Sequence, residues 1–107
     1  MPLILTETAS FRANRAWGAR DVAEIDGATV RLHWTDEAYK WHRNDGTEVF
    51  VVLDGAVDMH YRAGAGAEEK SVRLEPGAIF VAQEGEEHVA RPLGEARILV
   101  IERKGSI

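Results

Sequence analysis

Cysteine is absent from the 107-residue sequence. Disulfides, Cys-ligated zinc, iron–sulfur clusters and thiol catalysis are therefore excluded. Positive charge is scarce as well: 13 Lys and Arg stand against 18 Asp and Glu, a net charge of -5. Binding to nucleic acid needs a basic patch that neutralises phosphates, so that class is set aside. Only three prolines occur, and no Pro/Ser-rich linker divides the chain. No apolar run approaches the ~20 residues of a membrane span. The start, Met1-Pro2-Leu3-Ile4-Leu5-Thr6-Glu7, has neither a basic n-region nor the apolar core of a signal peptide. These absences lead us to expect a cytoplasmic chain without nucleic-acid or membrane partners.

What is present suits a globular fold. Hydrophobic residues make up 45% and charged residues 29%, near the averages for soluble domains. The length predicts one domain over residues 1–107, able to bury about 60–70% of its unfolded surface. Turn signals recur at Asp26-Gly27, Asp45-Gly46, Asp54-Gly55, Gly64-Ala65-Gly66, Pro76-Gly77, Glu84-Gly85 and Leu93-Gly94. The runs between them are short and rich in β-branched and aromatic residues. Strands are predicted over Ala28 to Trp34, Glu48 to Leu53, Ala56 to Tyr61, Ser71 to Leu74, Ala78 to Ala82, His88 to Arg91 and Ala96 to Glu102. Such spacing indicates an all-β sandwich or barrel. The core occupies about residues 28–103, preceded by an N-terminal arm, 1–27. Within the arm, Ser10 to Trp17 is compatible with one helical turn capped by Ser10. Arg62 to Lys70 reads as a solvated hairpin loop.

With no cysteine, strong metal ligands and bases reduce to four His and the carboxylates. Alternation along a strand puts His42 and Asn44 on one face, and Glu48 points back at them across the Asn44-Asp45-Gly46-Thr47 turn. His88 follows a second acidic turn, Gln83-Glu84-Gly85-Glu86-Glu87. Two imidazoles and a carboxylate on neighbouring strands make a set that suits iron, manganese, nickel or zinc. From spacing alone, a His and a Glu on strands are more often structural or surface residues. His33 and His60 fall on the polar parity of their strands and are expected to face outward, as is Trp41. Trp17 and Trp34 are expected to be core or packing residues rather than a ligand cage. Phe50 and Val52 share the parity of Glu48, so both are expected on the pocket wall as substrate-binding residues.

The run from Trp41 to Gly55 (WHRNDGTEVFVVLDG) resembles the first cupin motif, G-x5-H-x-H-x(3–4)-E-x6-G. That from Glu75 to His88 (EPGAIFVAQEGEEH) resembles the second, G-x5-P-x-G-x2-H-x3-N. His42, Glu48, Gly55, Gly77, Gly85 and His88 match. Asp36, Asn44, Gln83 and Pro92 depart from the pattern. The likeness spans about Val30 to Glu102 and needs no gap in the motif spacings. The sequence thus resembles the small single-domain cupins of the conserved-barrel type, often labelled mannose-6-phosphate isomerase-like, a label of fold rather than reaction.

The resemblance implies a double-stranded β-helix, the jelly-roll barrel, with a pocket between two sheets. It also implies a divalent transition metal (Fe, Mn, Ni or Zn) on His42, Glu48 and His88. Asn44 stands where the family has another His, and an amide oxygen is a weaker donor than imidazole for such metals. Three readings stay open: a metal held by three ligands plus Asn44 or water, a metal-free pocket in which Asn44 touches substrate, or a fold without a working site. Catalytic residues are not identified. The corresponding functions are a metal-dependent dioxygenase or isomerase, a non-catalytic small-molecule sensor, and an assembly module. Cupins of this size also imply a homodimer, through an outer sheet face or through the apolar Leu3-Ile4-Leu5 segment.

Overall fold

A computed structural model describes residues 1–106 as nine antiparallel strands, β1 (Gly18–Ile25), β2 (Ala28–Thr35), β3 (His42–Arg43), β4 (Glu48–Asp54), β5 (Val57–Arg62), β6 (Lys70–Leu74), β7 (Ile79–Ala82), β8 (Glu87–Pro92) and β9 (Ala96–Arg103). They form two sheets, of order β1-β2-β9-β4-β7 and β3-β8-β5-β6. The sheets face each other as a jelly roll, and their inner faces make one core. Its centre is Val52, Val57, Met59, Ala96 and Ile98, all wholly buried.

Strand β1 lies in the part of the chain whose structure the sequence left ambiguous. It is an edge strand whose Arg20, Asp21 and Glu24 are exposed, so it carries little apolar alternation to detect. Asp26 and Gly27 both adopt positive φ, 48° and 81°, the pairing that a two-residue hairpin turn into β2 requires. The expected helical turn is displaced: a single 3-10 turn covers Thr8–Ser10. Ser10 ends it rather than capping its start, its hydroxyl donating to the Glu7 carbonyl at 2.9 Å.

Strand β2 has the opposite facing from the one its pattern suggests. Arg31 and His33 point to the interior and line a cavity, whereas Leu32 and Trp34 lie on the outer face. Both are nonetheless buried, at 3% and 4% exposure. Leu32 shares a groove with Ile4, Leu5 and Phe11 of the N-terminal arm. The Trp34 ring lies under Arg12, and its indole N–H donates to Glu95. Arg97 secures the arm by donating to the Phe11 carbonyl at 2.8 Å while pairing with Asp54 at 3.0 Å. The arm thus supplies the apolar cover that strand alternation alone assigns to the core.

Candidate metal centre and cavity

The β3–β4 turn and the β7–β8 turn bring the expected ligands together at one end of the barrel, where the two sheets meet. His42 and His88 are cross-strand partners in the smaller sheet, with ring centroids 4.3 Å apart. The ladder continues past them, since the Asn44 N–H donates to the Glu86 carbonyl and the Gly85 N–H to the Asn44 carbonyl, both at 2.9 Å. Glu48 opens β4 in the larger sheet. One donor atom from each of His42, Glu48 and His88 falls within 4.8 Å of the others.

Hydrogen bonding prepares these groups for a cation. His42 Nδ1–H donates to the Lys40 carbonyl at 3.1 Å, fixing the tautomer and leaving the Nε2 lone pair aimed elsewhere. Burial pushes the His42 pKa down, so the ring is neutral and able to ligate. His88 Nε2 approaches Glu48 Oε1 to 3.1 Å, but off the line of a hydrogen bond. Four side-chain atoms are consequently buried without any hydrogen-bond partner: His42 Nε2, Asn44 Oδ1, Glu48 Oε1 and His88 Nδ1. Native interiors rarely leave such atoms unpaired, and a bound ion or ligand would satisfy them. The donor set of two imidazoles and a carboxylate fits a divalent transition metal.

Sequence reasoning missed four residues here. Glu102 faces Glu48 across β9 and β4. Tyr39, Arg31 and His33 line the same cavity, of about 200 Å³. Glu102 was findable, because it continues the inward Ile98, Val100 alternation. His33 was expected to face outward; instead its Nδ1–H donates to the Trp17 carbonyl at 2.9 Å, and burial lowers its pKa. His60 is remote from the cavity and pairs with Glu69 at 3.1 Å. Phe50 lines the cavity, as expected. Val52 does not: it is 0% exposed, beyond Phe50 on the same face, where Ile98 opposite closes the barrel. Asn44 is buried at 5% exposure but does not line the cavity either. Trp17 packs on the core and also lines the cavity. Trp41 is covered from outside by Arg62, 4.6 Å from its ring.

Glu48 and Glu102 stand in register across β4 and β9, and one buried carboxyl beside another resists ionisation. Burial raises Glu48, but its contacts with His88 and Glu102 bring it net below its ordinary value. Burial, then the hydrogen bond and charge of Glu48, push Glu102 up to about 8 from 4.5. A carboxyl raised on folding binds more protons folded than unfolded between those values. Its stabilising contribution is therefore complete below about 4.5 and is lost as pH rises through about 8. In metal-free protein, the urea midpoint should fall further between pH 6 and pH 9 for wild type than for Glu102→Gln. Identical slopes would show that Glu102 carries no such proton.

No family model and no curated protein matches this sequence. Solved structures do. A cupin-2 domain-containing protein from Shewanella frigidimarina is 27% identical, covering 86% of this chain and 85% of its own, with a TM-score of 0.74. A cupin superfamily protein from Desulfitobacterium hafniense is 13% identical, covering 96% and 92%, with a TM-score of 0.77. A hydroquinone 1,2-dioxygenase in complex with Fe3+ is 12% identical with a TM-score of 0.77; the match covers 87% of this chain and 29% of that one. With its two facing antiparallel sheets and its likeness to cupin-2 structures, the chain has the jelly-roll fold of a small cupin.

Proposed function

We propose that this cupin-fold protein binds a small molecule in its barrel beside a divalent transition metal held by His42, Glu48 and His88. The reading rests above all on the four orphaned buried atoms at one barrel end. A metal there supplies Lewis acidity or oxygen activation, as a dioxygenase or isomerase needs. Likeness to a dioxygenase carrying Fe3+ supports the class without fixing the reaction. His42 contributes a ligand whose tautomer is already set, and Glu48 one whose charge is stabilised by its neighbours. Asn44 is the weak fourth position.

A second reading, a metal-free binding or sensing module, is favoured by Asn44 standing in place of His. Elemental analysis after purification in metal-replete medium separates the two. The first expects one transition metal per chain, lost in His42→Ala and in His88→Ala. Metal absent from wild type but present in Asn44→His would overturn it in favour of the second.

The cytoplasmic homodimer belongs to the same proposal. On the outer face of the larger sheet, Val49 pairs with Val81 and Val51 with Ile79. Ile79 and Val81 are 64% and 45% exposed, an apolar patch suited to a second copy. Light scattering should give twice 11.9 kDa for wild type and 11.9 kDa for Val81→Glu. A monomeric wild type would refute the dimer.

A further inference from the structure

Beyond the metal ligands, the cavity has a second set of walls that the proposed reaction leaves unused. Trp17 holds φ of 61°, in the left-handed region that bulky residues avoid. The turn before β1 enforces it: the Gly18 N–H donates to the Arg15 carbonyl at 3.1 Å, and any Cβ on Gly18 would run into Ala13. The indole is then fastened, its N–H donating to the Glu37 carbonyl at 2.9 Å. Tyr39 is fastened to β8 through its backbone N–H, which donates to the Ala90 carbonyl at 3.0 Å. The two rings meet edge to face at 5.4 Å, and Tyr39 meets His42 at 5.3 Å. Strain of this kind persists where surrounding contacts over-determine it, commonly at ligand clamps. Here it holds an aromatic wall running from Trp17 through Tyr39 to the proposed ligand His42.

Arg31 lines the same cavity from β2, two residues from His33, and across the larger sheet from Phe50. It stands in register with Val100, which stands in register with Phe50. Two strand spacings, about 10 Å, thus separate Arg31 from Phe50. Its Nε bonds Asp21 at 2.9 Å. Among the described residues its two terminal amino groups have no protein partner, which leaves a fork suited to a carboxylate. The cavity, near 200 Å³, is smaller than the roughly 300–1,000 Å³ of sites for drug-sized ligands. One ring is about the largest body it accepts.

We propose that the cavity selects a planar, single-ring aromatic acid, with Trp17 and Tyr39 reading the ring and Arg31 the acid group. The proposal rests on the small-molecule reading above and specifies its substrate class. Planarity matters because flat faces gain contact with Trp17 and Tyr39 that a puckered ring does not.

Three probes separate the contributions: benzoate, cyclohexanecarboxylate (same charge, puckered ring) and benzamide (same ring, no charge). Ligand-observed NMR titration of EDTA-treated protein keeps the metal question out of the result. Benzoate should bind about tenfold more tightly than cyclohexanecarboxylate. Trp17→Leu should remove that preference, and Trp17→Phe should keep most of it. Tyr39→Leu, further from the strained turn, should also reduce it, so the test survives if Trp17→Leu fails to fold. Arg31→Gln should weaken benzoate about tenfold and leave benzamide unchanged. Equal binding of the two acids would overturn the proposal while leaving the small-molecule reading intact. Binding of none of the probes would overturn the proposal as well.

Discussion

Divalent metal at a hundred times its Kd should stabilise the protein by about 2.7 kcal/mol, because it binds the folded chain and not the unfolded one. At about 4–8 °C per kcal/mol for a chain of this size, the melting temperature should rise roughly 10–20 °C. The increment should vanish in His42→Ala, in Glu48→Gln and in His88→Ala. Of these, His42→Ala is the cleanest, because His42 is only half-buried. His88→Ala also leaves the 7%-exposed Glu48 carboxylate without its neighbour, and that costs stability by itself. Reading the metal-induced shift within each variant cancels this background. Removal of a true ligand should weaken binding by more than the about 10–100-fold expected for a residue that only orients one. A shift that survives in all three variants would place the metal elsewhere and sink the assignment.

Gly55→Ala should be the most destabilising single-methyl addition in the chain, at about 3 kcal/mol or more. Gly55 has φ of 78°, which alone costs an L side chain roughly 1–2 kcal/mol. A Cβ there would also collide with the Glu95 carbonyl oxygen and lie 3.0 Å from Ala96 Cα, both backbone atoms that cannot swing aside. Gly66→Ala provides the control. Its φ is 80°, yet nothing lies within 4 Å of its added Cβ, so only the conformational cost should appear. Urea unfolding midpoints at unchanged m-value measure both variants. Equal losses would mean that the β4–β5 turn yields to the new methyl, and that the close approach to β9 does not constrain it.

The contrast between those glycines separates what sequence shows from what it hides. Asp54-Gly55 reads as a turn because glycine at that place signals positive φ, a local property. That Gly55 also touches the strand beginning at Ala96 is a contact over forty residues of sequence, and no local pattern records it. The metal candidates were legible for a related reason. The tight turn that returns Glu48 towards His42 is short-range geometry, whereas the pairing of His42 with His88 spans more than forty residues and was signalled only by the motif resemblance. Val52 was misplaced because alternation gives the face of a strand but not the depth along the barrel at which a cavity ends.

Zero cysteines and short strands between Gly-bearing turns determined that thiol chemistry is absent, that the fold is all-β and which residues have metal-binding chemistry. Each follows from composition or from a period of two along the chain. Only tertiary structure decided which face of β2 is inside. Its apolar side, Leu32 and Trp34, is covered by the N-terminal arm, so Arg31 and His33 are free to line the cavity. Burial depends on everything that packs against a strand, including segments far away in sequence. The four histidines left by the opening exclusions therefore divide differently from expectation: His42 and His88 at the barrel end, His33 at the cavity wall, and His60 alone on the outside.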